Sequence, residues 1–330
     1  MVEHCLASLS KLTYPREQLE VILIENAAPS QPPPLDFRGL TVRRILQRTN
    51  LGTTGSINQG ASRTDSRHVL LLNDDVELEP AFLGLLTRAL DENENLGFAT
   101  AKLLNARFRQ RLDGAGDAML LGGGAYRLGH GDVDHGQFDE ARPVLAGCGA
   151  AMLIRRSVFE ELGGLDEKFF AYLDDVDLCV RAHLAGYRGI YVPAAVGYHV
   201  GSATLGGTVH PKIVSWMTRN QISLLLKNYP LRVLLRLLPR IVVYQLLWFL
   251  LSLKRGTTLA YIAGMAGAAS LLVPILRERR LIMKSKKLSN AQFLALLRQS
   301  EQQIFDWHKA RTATGRSSLL HIYFRLFPPK

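Results

Sequence analysis

The stretch that decides the fold is His68-Val69-Leu70-Leu71-Leu72-Asn73-Asp74-Asp75. A short apolar run closed by turn-forming residues reads as a buried strand, and it sets a pair of carboxylates at the strand's carboxyl end. In an open α/β sheet that rim is where ligands collect. Hard oxygen ligands there suit Mg²⁺ or Mn²⁺, and those cations in turn suit phosphate oxygens. The same residues also fit an Asx turn ahead of a helix beginning near Pro80.

A second acidic cluster, Asp174-Asp175-Val176-Asp177, leads into Leu178 to Ala185 with Gly186 as a helix stop. Carboxylates at a helix start complement the helix dipole, which a plain cap would also explain. The preceding string, Gly163-Gly164-Leu165-Asp166-Glu167-Lys168-Phe169-Phe170-Ala171-Tyr172-Leu173, is more than a cap needs. It packs glycines, aromatics and a carboxylate pair into one tight loop. Two such clusters, each beside an apolar stretch, point to carboxylates gathered at one site to hold a metal and a base.

Several strings in fixed order carry a resemblance: Val21-Ile22-Leu23-Ile24-Glu25-Asn26, Asn50 to Gly60, Leu71 to Val76, Gly163 to Arg181, and Tyr198-His199. Over residues 4–230 the chain resembles family-2 glycosyltransferases of the GT-A fold, close to rhamnosyltransferase-like members. The resemblance implies a Rossmann-like mixed sheet flanked by helices, here expected over residues 1–210, followed by a basic helical region over 211–330. It implies that Asn73-Asp74-Asp75 binds a divalent metal (Mn²⁺ or Mg²⁺) and the nucleotide diphosphate, with Asp75 the direct ligand. Asp175 matches the general base. Glu25, Asn50 and Gly52 fall on the donor side, and Glu25 stands where the family usually carries Asp, which leaves the base choice open. His199 is a second candidate metal ligand, although a lone His after a strand is more often structural. Asp174, Asp177 and Arg219 are further candidates, Arg219 either touching diphosphate or bridging domains.

These parts fit transfer of a sugar from a nucleotide-sugar donor to a glycan or lipid-linked acceptor in cell-surface polysaccharide assembly. The leaving diphosphate needs charge neutralised, and the acceptor hydroxyl needs a carboxylate to take its proton. One base and no second nucleophile favour a single, inverting displacement. The alternative is a non-catalytic sugar-nucleotide-binding or membrane scaffold protein. Family-2 enzymes also open with an apolar strand before the first helix, and the sequence from Met1-Val2-Glu3-His4-Cys5 has none. The expectation is a start lying further upstream, or else a sheet one strand short.

The 330 residues exceed one ordinary domain, and the 47% apolar content is that of a globular protein. Cys5, Cys148 and Cys179 lack paired spacing and read as buried free thiols in a reducing compartment. No secretory leader is visible, so the catalytic part is expected on the cytoplasmic face. The overall net charge of +11 hides a division, −6 over residues 1–210 and +17 over 211–330.

In the basic half, Arg232, Arg236 and Arg240 recur every four residues within a Leu-rich run, marking one side of a helix. A charge-free stretch from Gly256 to Leu276 follows between basic flanks. It is long enough to span a bilayer, but Gly264, Gly267 and Pro274 favour peripheral attachment to an anionic membrane surface. Nucleic acid is the competing partner for the charge, without a recognisable motif to support it. Between the clusters, Gly122-Gly123-Gly124 and Gly129 to Gly136 read as a mobile loop, either a lid or plain surface.

Overall fold

A computed structural model describes residues 1–201, 210–312 and 319–329. The apolar run at 68–72 forms strand β3, the third strand along the chain. In chain order the elements are helix α1 (Val2–Leu9), the parallel pair β1 (Val21–Glu25) and β2 (Val42–Leu46), helix α2 (Gly52–Ala61) and then β3 (His68–Leu72). Next come β4 (Val76–Leu78), helix α3 (Phe82–Asp91), β5 (Leu96–Asn105), β6 (Leu112–Gly114), β7 (Asp117–Met119), β8 (Ala125–Arg127) and β9 (Arg142–Val144). The sheet region closes with β10 (Ala151–Arg155), α4 (Arg156–Glu161), α5 (Asp174–Leu184) and β11 (Arg188–His199).

The central sheet has seven strands in the order β3-β10-β5-β11-β4, with β6 added on β5 and β9 on β11. It is mixed: β11 runs parallel to β5, while β10 is antiparallel to both β3 and β5. Strands β1 and β2 form a separate two-stranded sheet. Among the described residues β1 pairs only with β2, and β3 only with β10, so each keeps one open edge, and both edges line the same cleft. That open edge explains why the apolar strand Val21-Ile22-Leu23-Ile24 stays half-exposed.

Helices α6 (Pro211–Asn228), α7 (Leu231–Lys254), α8 (Thr258–Ser270), α9 (Leu272–Ser285), α10 (Asn290–Thr312) and α11 (Leu319–Leu326) follow. They do not stand apart from the sheet. One core joins Phe98, Met152, Ile154 and Leu178 to Tyr229, Val233, Leu237, Phe293 and Leu297. The charge-free stretch 256–276 is not one rod: α8 ends at Ser270, α9 starts at Leu272, and the two meet at 59°. Among the described residues α7 is long and apolar enough by itself to cross a membrane, and α8 with α9 are so only taken together as a bent pair; Val233, Leu237, Ile241, Tyr244 and Leu247 turn one side of α7 into the protein.

The Gly-rich segment expected to be mobile is held by buried charge. Lys102 Nζ pairs with Asp134 at 3.0 Å and with Asp139, while Trp307 Nε1 of α10 donates to Asp132 at 2.6 Å. The three cysteines are free and buried, as read from their spacing.

A buried ion cluster ties α5 to α6. Lys227 Nζ lies 2.6 Å from Asp166 and 2.9 Å from Asp177, and Asp177 also takes Arg181 Nε at 2.8 Å and Asn228 Nδ2 at 2.7 Å. Removing one partner of such a group strands the others without solvent. Lys227→Ala should therefore lose about 3–5 kcal/mol of stability, read as a lowered urea midpoint; an unchanged midpoint would show that the cluster is not holding these helices together.

Candidate active site

The two acidic clusters meet through Gly149 and Ala150, the residues just ahead of β10. Asn73 N–H donates to Ala150 C=O at 2.9 Å, and Gly149 N–H donates to Asp175 Oδ2 at 2.8 Å. A Cβ on Gly149 would lie 3.1 Å from that of Asp175, so a glycine is what lets the carboxylate approach the strand. Asp175 Oδ1 accepts its own helix's Val176 N–H at 2.8 Å, fixing both oxygens. Asn73, Asp74, Asp75, Asp174, Asp175 and His199 all line one open cleft of about 2240 Å³.

His199 reaches this place through strand pairing. It ends β11 opposite Val76 of β4, which sets its imidazole against Asp75. Nε2 lies 3.4 Å from Asp75 Oδ1, and Nδ1 lies 2.8 Å from Asp113 Oδ2. Burial alone would lower the imidazole's pKa, but hydrogen bonds to the two carboxylates outweigh it and raise it to about 9. Asp113 is likewise buried, which would raise it, yet Arg127 and His199 hold it down at about 2. Asp74 is pushed upward by burial and then by the charge of Asp75.

The donor-side candidates sit across the cleft. Glu25, at the end of β1, pairs its carboxylate with Arg44 Nε. Asn50 Oδ1 accepts from Asn26 Nδ2 at 2.8 Å and from Gly52 N–H at 2.9 Å. Gly52 has φ +69°, and a Cβ there would stand 2.3 Å from Phe170 O, so a left-handed glycine is required. Phe170 C=O in turn accepts Thr53 N–H at 2.7 Å, fastening the start of α2 to the loop before Asp174.

That loop is strained: Phe170, Tyr172 and Leu173 all have positive φ without being glycine. Asn220 holds it, donating from Nδ2 to Phe169, Ala171 and Tyr172 carbonyls at 2.8–3.0 Å. Arg219 Nη2 adds a bond to Phe169 C=O at 2.7 Å and lies outside the cleft wall, which fits the bridging alternative rather than diphosphate contact. Asp177 is also outside the cleft, its carboxylate taken up by the ion cluster with Arg181, Lys227 and Asn228. The i,i+4 spacing of Asp177 and Arg181 was the signal in the sequence for that internal role. Asp113, Asp117, Arg127 and His130 line the cleft and were not anticipated. Nothing in their local pattern marks them, because strand pairing brings them there.

Asp75 and His199 form an ion pair 3.4 Å apart; by donor type, one hard oxygen and one imidazole, they fit a divalent cation that displaces the proton on Nε2. Among the described residues no group of three or more such side chains is gathered to hold a metal alone. A pair suits an ion that takes its remaining ligands from phosphate and water.

A mixed sheet flanked by helices, with carboxylates at strand ends, is the GT-A class of fold. The chain belongs to the family described as glycosyltransferase like family 2, whose model matches residues 2–218. It is 47% identical over 58 residues to N-acetylglucosaminyl-diphospho-decaprenol L-rhamnosyltransferase of Mycobacterium tuberculosis, a segment covering 18% of this chain and 19% of that one. It is 47% identical over 52 residues to the rhamnosyltransferase WbbL of Escherichia coli K12, covering 16% and 20%. The matched segments thus span a fifth or less of either relative. The fold is shared with S. aureus TarS 1-349, solved in complex with UDP, at a TM-score of 0.50 and 14% identity over 92% of this chain and 87% of that one.

Asp174 supplies a pH test. Burial, followed by the charge of Asp175, pushes its carboxyl up to about 8. The folded state then holds a proton that the unfolded chain releases, so stability falls as pH rises from the ordinary carboxylate range to about 8 and is level beyond. Asp174→Asn removes that slope. Its melting temperature should exceed the parent's near pH 8.5 and converge on it near pH 5; a difference independent of pH would contradict the shift.

Proposed function

We propose that this chain transfers a sugar from a nucleotide-sugar donor to a hydroxyl of a lipid-linked glycan at an anionic membrane surface, in polysaccharide assembly. The observation carrying this reading is the single cleft that holds Asp75, His199 and Asp175, joined through Ala150 and Gly149. Relatives named for rhamnosyl transfer, one of them to a decaprenol-linked substrate, support the substrate class.

In this reading Glu25, Asn50 and Gly52 border the nucleotide, and Asn73 and Asp74 border the diphosphate. Asp75 and His199 would hold Mn²⁺ or Mg²⁺, which when bound neutralises charge on the leaving diphosphate. Asp175, with each oxygen oriented by a backbone N–H, accepts the proton of the attacking acceptor hydroxyl. One base facing one cleft supports direct displacement with inversion.

Asp175→Asn separates an enzyme from a binding scaffold. Assayed with a panel of UDP-, dTDP- and GDP-sugars plus Mn²⁺, the variant should bind donor as the parent does and lose sugar turnover by about 100-fold or more. Turnover at the parental rate would remove Asp175 from the mechanism.

Membrane attachment is supported by the outer face of α7. Leu231, Leu235, Leu238, Val242, Leu246 and Leu250 form an exposed stripe at three- and four-residue spacing. Arg232 and Arg236 are exposed beside it, whereas Arg240 turns inward to Glu301. Exposed apolar residues continue on α8 (Leu259, Ile262) and α9 (Val273, Leu276), with Arg277, Arg280 and Lys284 alongside. A helix packed into the protein along one side and apolar along the other suits the plane of a bilayer better than a crossing. Vesicles containing phosphatidylglycerol should retain the protein at low salt, and Val242→Glu with Leu246→Glu should release it. Retention on DNA instead of vesicles at the same salt would favour the nucleic-acid alternative.

A further inference from the structure

We infer that Asp117 and Arg127 form a subsite for a neutral pyranose, Asp117 accepting a hydrogen bond from a ring hydroxyl next to the one presented to Asp175. This rests on the glycosyltransferase reading and names a part of the site that the family match does not assign.

The subsite is built by the short hairpin of β7 and β8, in which Asp117 is registered opposite Arg127. Asp117 also exchanges backbone bonds with Ala146, its N–H donating at 2.9 Å and its C=O accepting at 3.1 Å. Three residues on from Ala146 is Gly149, which holds Asp175. The two carboxylates are therefore anchored to one short backbone segment, and both line the cleft. Burial raises the Asp117 carboxyl to about 7 against the pull of Arg127, and the charge of Asp175 is felt there too.

The Asp117 side chain is nine-tenths buried, and its Oδ1, ion-paired with Arg127, has no hydrogen bond of good geometry among the described residues. Oδ1 lies 3.4 Å from Arg127 Nε, too long and too poorly aimed to satisfy it. A buried carboxylate oxygen held only by a long ion pair is incompletely satisfied, and a ligand hydroxyl can supply the missing donor. Arg127 is itself committed to Asp113, Nη1 to Oδ2 at 2.8 Å, and its stem lies flat over Gly114, where a Cβ would stand 2.4 Å from Cδ. The guanidinium is thus held in place, and Arg127 lines the cleft.

The ligand class follows from charge. The cations here, Arg127 and His199, are both already paired with Asp113, and Asp117 and Asp175 add only acid, so the site offers phosphate little attraction. A carboxylate wants a donor, a guanidinium wants an acceptor, and adjacent hydroxyls of a sugar ring supply both. The geometry is that of a neutral polyol site beside the base.

The test uses the full chain with Mn²⁺, UDP, dTDP and GDP as nucleotide probes, and a panel of methyl pyranosides (gluco, galacto, manno, rhamno and N-acetylglucosamine) as ring probes. Saturation-transfer NMR should show at least one pyranoside bound in the presence of nucleotide, with binding weakened about 10-fold or more in Asp117→Ala and less in Asp117→Asn, which keeps an acceptor oxygen. Nucleotide affinity should stay at the parental value in both variants, which also reports that they fold. Pyranoside binding equal in parent and variants, or nucleotide bound with no pyranoside bound at all, would overturn the subsite. Failure of the parent to bind any nucleotide or nucleotide-sugar would instead overturn the glycosyltransferase reading beneath it.

Discussion

Two hydrogen bonds made by the backbone just ahead of β10, one to the backbone of Asn73 and one to the side chain of Asp175, are what the rest of the site depends on. Through Ala150 C=O this segment fixes the turn after β3, and through Gly149 N–H it fixes Asp175 at the start of α5. Acids a hundred residues apart in sequence thereby face one cleft, as the two acidic clusters had led one to expect. Like charges brought together in this way repel, so the surrounding structure must be rigid enough to hold them. The upward shift of Asp174 and the buried pairing of Asp177 show two answers to that strain: one acid keeps its proton, and the other is matched by cations.

The same logic explains the loop before Asp174. Three non-glycine residues with positive φ are unfavourable on their own. They persist because Asn220 spans three carbonyls from the side of α6, while Thr53 N–H holds Phe170 from the side of α2. Helix α2, the loop leading to Asp174 and Asp175, and the first helix of the basic region are thus tied together by hydrogen bonds. A change in the basic region can reach the site without touching a substrate, because α6 contributes both Asn220 and the Lys227 ion cluster.

Local pattern made some of this legible and topology hid the rest. Strand β3 and helix α5 follow from an apolar run closed by turn residues and from acids ahead of a glycine-stopped helix. Gly52 was marked by its Gly-rich string, though not the contact with Phe170 that demands it. Asp113, Asp117 and Arg127 were missed because their neighbours are set by the pairing of β7 with β8 and by the reach of β11's last residue. The segment 129–136 looked mobile from composition, yet Lys102 and Trp307, distant in sequence, pin its acids. In the basic half, counting charge-free residues pointed to 256–276, whereas the helix that keeps a continuous apolar outer face is α7, whose arginines had been weighed more heavily than its leucines.

The placement of that outer face bears on how the cleft could be supplied. Helix α7 follows α6 after only Tyr229 and Pro230, and α6 carries Trp216 and Met217 in the cleft wall. The exposed apolar stripe of α7 and the wall of the cleft are therefore separated by one helix pair joined through two residues. An acceptor whose lipid stays in the bilayer can present only the sugar within reach of its diphosphate. Rigid coupling of α6 and α7 would set that reach as a fixed height above the membrane. On the proposed reading, selectivity for acceptor length would come from geometry as well as from ring recognition. A free cytosolic acceptor would gain nothing from this arrangement, and the long apolar stripe on α7 would only add a liability to aggregate.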